Sequence, residues 1–166
     1  RWDALGEEAA DEGAIGRHLE RILALPYLDV EAIRARRFRV ALDCVHGAGG
    51  RIVPALLEAL GCQVEGMGLE ADGRFPRDPE PTAANLRGLG ELVRETGAEV
   101  GFAVDPDVDR LSLVSEAGEP LGEDLTLALC ADVVRRRAGS RGGAGGEGGS
   151  GGAGGGVVTN LSTSRV

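Results

Sequence analysis

The sequence contains no lysine, and its basic residues are 18 arginines and two histidines. A lysine nucleophile, a Schiff base or the lysine of a phosphate-binding P-loop therefore cannot come from this chain. The 27 acidic residues outnumber the basic ones and give a net charge of −9. This balance disfavours binding of polyanions through a broad basic face, so nucleic acid is not an expected partner.

Cysteine and long apolar runs are also scarce. Cys44, Cys62 and Cys130 lie far apart and form no CxxC pair, so neither a disulfide framework nor a zinc knuckle is indicated. No apolar run approaches the roughly 18 residues that span a bilayer, and the first residues do not resemble a signal peptide. We therefore expect a cytoplasmic protein with no membrane partner.

The size and the two ends of the sequence suggest part of a longer chain. The 166 residues, 42% of them hydrophobic, correspond to one compact domain with pieces of its neighbours. The sequence starts at Arg1 without methionine and ends in a polar stretch, 162–165, after a short apolar run at 157–158 that predicts a strand. Residues 142–156 are mostly glycine and cannot bury apolar surface, which predicts a flexible insertion within 138–156.

Helical and strand patterns alternate along the chain. Apolar spacing and end signals predict five helices, at 11–25, 30–36, 51–60, 83–96 and 125–137. Short apolar runs predict four strands, at 38–44, 62–65, 99–104 and 111–114. The alternation predicts an α/β fold, with a mixed, partly parallel sheet flanked by helices and one antiparallel hairpin around 105–118.

The most distinctive chemical feature is the run Asp105-Pro106-Asp107-Val108-Asp109-Arg110 at the end of a predicted strand. Along an extended segment the three carboxylates would point to one side and offer several oxygens to one hard cation. Three clustered negative charges repel each other, and Arg110 alone does not balance them. The pattern predicts a Mg²⁺ site formed by Asp105, Asp107 and Asp109, with a solvated acidic turn as the alternative.

A calcium-binding EF-hand is the other motif that this run could belong to. Glu116 stands at the twelfth position from Asp105, as the EF-hand requires. Arg110, however, occupies the place of the turn glycine, and both flanks have strand patterns instead of helical ones. The sequence therefore disfavours an EF-hand.

A glycine-rich loop at 45–50 follows a predicted strand and precedes a helix. Its backbone N–H groups could face an anion, but the third glycine of the dinucleotide fingerprint is missing. A tight turn that needs permissive backbone angles is the favoured interpretation. His46 could be a ligand or a structural residue, and residues 162–165 could form an anion-contacting loop or a plain polar one.

Four motifs occur in an order that resembles the α-D-phosphohexomutases. They are Leu42-Asp43-Cys44-Val45-His46-Gly47-Ala48-Gly49-Gly50, Phe75-Pro76-Arg77-Asp78-Pro79-Glu80-Pro81, the aspartate run with Arg110, and Gly122-Glu123-Asp124. The likeness extends from about residue 38 to residue 166, except for the glycine insertion. Members of this family have four domains. The resemblance implies the end of the first domain with linker helices at 1–36, the metal-loop domain at 37–118 and the start of the third domain at 119–166.

The resemblance also implies an activity. In the family, a phosphoserine of the first domain exchanges a phosphoryl group with a hexose monophosphate through a bound 1,6-bisphosphate. Asp105, Asp107 and Asp109 would hold Mg²⁺, and Arg110 would neutralise the phosphoryl group. The sequences of residues 105–110 and 122–126 are most similar to those of phosphoglucosamine mutases, with phosphomannomutase or phosphoglucomutase as the alternative. Pro106 stands where many relatives have glycine.

The expected partners follow from this resemblance. They are a sugar phosphate and the remaining domains of the same enzyme, and a homodimer is left open. Because the phosphoserine lies outside this chain, the chain alone should be inactive. Two hypotheses of other classes are a noncatalytic divalent-cation-binding α/β module and a phosphatase or receiver-like domain with Asp105 as nucleophile. The last lacks the lysine that such chemistry usually needs.

Overall fold

The computed structural model describes residue 6 and residues 9–141. The predicted strand at 157–158, the glycine-rich stretch at 142–156 and the loop at 162–165 lie outside the described residues.

Helices and strands alternate as the sequence predicts. The helices are α1 (Ala14–Leu23), α2 (Val30–Arg36), α3 (Gly49–Ala59), α4 (Arg87–Thr96) and α5 (Glu123–Arg141). The strands are β1 (Arg39–Asp43), β2 (Gln63–Met67), β3 (Val100–Val104) and β4 (Leu111–Val114). Two ends shift by four residues from the prediction. α4 starts at Arg87 and not at residue 83, because residues 82–85 form a turn in which the Asn85 N–H donates to the Thr82 carbonyl. α5 continues to Arg141 and not to residue 137, so the first four residues of the predicted flexible insertion at 138–156 are helical instead.

The four strands form one sheet in the order β2-β1-β3-β4. β1 pairs in parallel with β2 and with β3, and β3 pairs antiparallel with β4. This confirms the predicted α/β class with a mixed sheet. Because the three parallel strands end at the same edge, the segments that follow Asp43, Met67 and Val104 meet there.

Helices cover both faces of the sheet. Side chains of α4 pack with one buried cluster, which consists of Ala41, Leu86, Leu89, Val93, Ala98, Ala103 and Val114. The other cluster includes Leu57 of α3 and consists of Val40, Leu42, Cys44, Leu57 and Val104. Successive residues of a strand point to opposite faces, so the central strand β1 contributes to both clusters and is buried along most of its length.

The connection from β1 to α3 differs from the expected glycine turn. The left-handed backbone angles fall on Val45 and His46, with φ of 47° and 59°, and not on the glycines that follow. A Cβ on Gly47 would lie 2.6 Å from Pro106, and one on Gly50 would lie 1.9 Å from the Leu69 carbonyl oxygen. These glycines are needed because two other loops approach the backbone closely.

Backbone pairing also disfavours an anion cradle at this connection. The N–H groups of His46, Gly47, Ala48 and Gly50 all donate to backbone carbonyls. The Ala48 N–H donates to the Pro106 carbonyl at 2.8 Å, which ties the connection to the aspartate run.

Across residues 9–141, no helix combines the length and the apolar composition that crossing a membrane requires.

Candidate metal centre

The aspartate run lies in the connection between β3 and β4, at the carboxyl edge of the sheet. Its backbone is not extended as predicted: residues 106–108 form a turn, and the Val108 N–H donates to the Asp105 carbonyl at 3.2 Å. Pro106 restricts its own φ near the start of this turn. Val108 adopts the left-handed region, with φ of 64°, and packs against the core cluster on the α3 side. Tertiary packing thus supports a backbone angle that a β-branched residue rarely adopts.

The turn nevertheless gathers the three carboxylates. One oxygen from each of Asp105, Asp107 and Asp109 lies within 4.8 Å of the others. Asp105 is buried, whereas Asp107 and Asp109 are exposed. Three carboxylate oxygens that converge from a short loop are the donors that hard divalent cations prefer. The residues present therefore fit the predicted cation.

Asp105 is the fixed member of the three. Its Oδ1 accepts the backbone N–H groups of Asp109 and Arg110 at 3.0 and 3.1 Å, and its Oδ2 accepts Nε of Arg110 at 2.9 Å. Burial alone would raise the pKa of Asp105, but the bonds from the Arg110 backbone and side chain outweigh it and lower that pKa. Of about four lone-pair sites on a carboxylate, these three bonds leave one, for which a cation and the hydrogen bond from a protonated Asp109 would compete.

Asp109 is the carboxylate whose ionised form is destabilised by its neighbours. A hydrogen bond with Asp105 and repulsion by the charges of Asp107 and Asp105 raise the pKa of Asp109. A bound cation would relieve that repulsion, since it favours the ionised form of a nearby carboxylate. Asp109 is therefore the carboxylate at which a proton and a cation would compete.

Arg110 connects the aspartate run to a second loop. Its Nε donates to Asp105, whereas Nη1 and Nη2 both bind the carboxylate of Glu80, the latter at 3.2 Å. The Glu80 and Asp105 hydrogen bonds raise the pKa of Arg110 further above its already high value. Arg110 thus stays charged and joins two loops.

Asp43 forms the other ion pair at this edge. Its carboxylate is only 3% exposed and lies 2.6 Å from Nη2 of Arg77. Sequence reasoning did not assign roles to Asp43, Arg77 or Glu80. The sequence offered one signal for Asp43, because it is a charged residue at the end of an otherwise apolar strand. Its partner Arg77 is 34 residues away, and local spacing does not predict such a pair.

His46 lies beside a different acidic pair. Its Nδ1 is 3.0 Å from the Glu70 carbonyl oxygen and 3.6 Å from Oδ1 of Asp72. These three side chains form a cluster separate from the aspartate run. The structure therefore does not bring His46 into the predicted ligand set.

The geometry excludes the EF-hand, because β3 and β4 flank the run where that motif has two helices. What remains is a mixed-sheet α/β domain with three converging carboxylates and an arginine at the carboxyl edge of its sheet. This defines the class: an α/β domain with a candidate hard-cation site.

Comparison with known proteins identifies the family. Residues 16–118 match the family model described as phosphoglucomutase/phosphomannomutase, alpha/beta/alpha domain II. The chain belongs to this family, the α-D-phosphohexomutases, as the sequence motifs suggested.

Individual relatives agree with this assignment. A "Phosphoglucomutase/phosphomannomutase" of Thermococcus kodakarensis is 41% identical over 140 residues, which cover 84% of this chain and 30% of the relative. A "Probable phosphoglucosamine mutase" of Methanopyrus kandleri is 40% identical over 129 residues, which cover 77% and 27%. A crystal structure of a phosphoglucomutase/phosphomannomutase family protein from Burkholderia thailandensis superposes with a TM-score of 0.65 at 31% identity, over 75% of this chain and 26% of that one. The chain thus spans less than a third of the length of these relatives.

Proposed function

We propose that residues 105–110 are the Mg²⁺-binding loop of a phosphohexomutase that interconverts the 6-phosphate and the 1-phosphate of a hexosamine. The reaction would proceed through a phosphoserine and a 1,6-bisphosphate intermediate. The phosphoserine would belong to another domain and not to this chain. The observation that carries the proposal is the convergence of Asp105, Asp107 and Asp109 within 4.8 Å.

Each residue of the loop has a distinct part in this proposal. Asp105 would supply one oxygen from a fixed position, and the exposed Asp107 and Asp109 would complete the protein ligands. When bound, Mg²⁺ supplies charge neutralisation to phosphoryl oxygens. Within the described residues, three of the five N–H donors of the Arg110 side chain bind Asp105 and Glu80. The other two could donate to a phosphate oxygen.

The choice of sugar rests on sequence likeness. Glucosamine phosphates are supported as substrates by the sequences of residues 105–110 and 122–126 and by the similarity to the Methanopyrus relative. The similarity to the Thermococcus relative favours a second candidate, mannose or glucose phosphates. Activity on each sugar phosphate discriminates them directly.

The remaining domains of the enzyme are the proposed partners, and the cytoplasm is the proposed location. Support for further domains comes from α5, which leaves apolar side chains exposed at Leu127, Leu129, Val133 and Val134. Such surface commonly marks an interface. The phosphoserine would belong to another domain, so the chain alone should not turn over sugar phosphates.

The aspartyl-nucleophile hypothesis finds less support. Asp105 is 1% exposed, and both its oxygens accept hydrogen bonds. A nucleophilic carboxylate needs an oxygen open to the phosphoryl group, and this chemistry usually also needs a lysine, which the sequence lacks. Asp105 suits a ligand better than a nucleophile.

A magnesium titration of this chain, followed by ¹H–¹⁵N NMR, tests the proposal. Saturable shifts should be confined to residues near the aspartate run, and Asp107→Asn should weaken binding at least tenfold. Glu91→Gln makes the same change in charge on the exposed surface of α4 and serves as the control. Equal effects of the two variants would count against the site.

Two further measurements separate the hypotheses. In a protein that joins this chain to the other family domains, Asp107→Asn should abolish conversion of glucosamine 6-phosphate, and unchanged turnover would refute the proposed role. A noncatalytic structural cation predicts that a chelator lowers the melting temperature strongly. The catalytic hypothesis predicts only a small change.

A further inference from the structure

Glu80 lies in the loop between β2 and α4 and holds the far side of the Arg110 guanidinium. Both Glu80 oxygens bind Arg110, one to Nη1 and the other to Nη2. Arg110 Nε meanwhile donates to Asp105. A planar guanidinium held at both edges has a defined orientation.

The loop that carries Glu80 is itself anchored on both sides of this residue. Before it, Arg77 pairs with the buried carboxylate of Asp43. After it, the Pro81 carbonyl accepts the Ser112 hydroxyl at 2.8 Å in a buried setting. Asn85 Nδ2 donates to the Glu80 carbonyl at 2.9 Å. Glu80 therefore presents its carboxylate from a fixed backbone.

The position of Arg110 matters because a second aspartate is within its reach. Arg110 Nε lies 3.5 Å from Oδ1 of Asp109, within ion-pair range but longer than a typical hydrogen bond. Without Glu80, the guanidinium would lose two acceptors, and the nearest carboxylates would be those of Asp105 and Asp109. An arginine bound to both would compete with a cation for the same oxygens.

We infer that Glu80 is a positioning residue: by binding the η nitrogens of Arg110, it keeps that arginine from hydrogen-bonding to Asp109 and leaves the Asp109 oxygens open to a divalent cation. The inference rests on the proposed function, since it concerns the same metal centre. It adds a residue from a second loop, one that acts through Arg110 and not as a ligand.

Magnesium affinity in four variants of this chain tests the inference. Glu80→Gln should weaken Mg²⁺ binding about fivefold, the size expected from one partly exposed ion pair. Glu91→Gln, with the same charge change on α4, should alter it less than about twofold. In an Arg110→Gln background, the further change Glu80→Gln should have no more effect than Glu91→Gln has, because the residue through which Glu80 acts is gone.

The Arg110 Nε–H signal in ¹H–¹⁵N spectra supplies a readout independent of the metal. It is assigned by its loss in Arg110→Gln. In wild type and Glu91→Gln it should keep the same position and be protected from solvent exchange, and in Glu80→Gln it should shift or broaden as the guanidinium moves toward Asp109, while the backbone amide spectrum stays folded. An unchanged signal in Glu80→Gln would overturn the clamp.

The outcomes for the two proposals are distinct. A wild-type chain without a saturable Mg²⁺ response overturns the metal centre itself. A wild-type chain that binds Mg²⁺, while Glu80→Gln behaves as Glu91→Gln does, overturns the role of Glu80 alone. An equal effect of Glu80→Gln with and without Arg110 overturns action through Arg110.

Discussion

Arg77 and Asp43 form a two-point contact, in which Nη2 and Nε of the arginine lie 2.6 and 3.0 Å from the same carboxylate oxygen, Oδ2. The other oxygen of Asp43 accepts the Val45 N–H at 2.8 Å. The pair attaches the loop before α4 to the carboxyl edge of the sheet. It thereby fixes the segment that carries Glu80.

Replacement of Arg77 by leucine should destabilise the fold strongly. It leaves the Asp43 carboxylate buried without its cation, a change that typically costs about 3–5 kcal/mol of unfolding free energy. Urea denaturation measures the loss. Arg74→Leu on the same loop removes a side chain that is 90% exposed and should change stability by less than about 0.5 kcal/mol. Similar losses in both variants would contradict this account of the pair.

Magnesium affinity should fall as the pH is lowered. The pKa of Asp109 is raised by its hydrogen bond with Asp105 and by the charges of Asp107 and Asp105. A proton should therefore displace the cation from Asp109 at a higher pH than from an ordinary aspartate. Titrations from pH 8 down to pH 4.5 should show the decline. In Asp109→Asn the affinity should be lower throughout and less dependent on pH. A wild-type affinity constant over this range would refute the competition.

Asp109→Asn should also stabilise the chain in the absence of divalent cations. The pKa of Asp109 is raised in the fold, so the folded state holds its proton more tightly than the unfolded state, and stability falls as the pH rises through that window. The penalty is fully present at neutral pH. The variant should therefore melt higher than wild type at pH 7, and the two should converge below the ordinary aspartate pKa. A lower melting point at pH 7 would argue that ionised Asp109 is stabilising.

Two glycines should respond oppositely to alanine. At Gly50 the added Cβ would lie 1.9 Å from the Leu69 carbonyl oxygen, and the backbone shift should cost about 2 kcal/mol or more. At Gly88 in α4 the nearest atom, of the Met67 side chain, would be 3.6 Å away, and alanine should add about 0.5 kcal/mol through helix propensity. Chemical denaturation of both variants checks the pair, and a neutral Gly50→Ala would contradict the close loop contact.

Cys44 should be inert to thiol reagents in the folded chain. Burial, with a smaller contribution from the Asp43 charge, raises the pKa of the Cys44 thiol to about 12, which leaves little reactive thiolate near pH 8. Cys130 is exposed and should label first. Mass spectrometry after brief labelling with and without urea would show Cys44 modified only on unfolding. Early labelling of Cys44 without urea would show that this thiol is open to solvent.

Local patterns in the sequence were sufficient to predict the fold class. The runs 38–44 and 99–104 are apolar enough to be central strands, and helical spacing between them requires parallel crossovers. The order of motifs identified the family, which the match at residues 16–118 bears out. The three aspartates were also placed together, but for the wrong reason: a turn stabilised by the backbone gathers them, not an extended segment.

The sequence by itself thus determined the strand and helix pattern, the family and the set of candidate ligands, because each of these depends on residues that are close together in the chain. Only the tertiary structure decided which distant side chains pair, as Glu80 does with Arg110 and Arg77 with Asp43. The physical reason is that such partners, 30 and 34 residues apart, meet only after the parallel strands bring their carboxyl ends to one edge. There, burial and charge select the pairs.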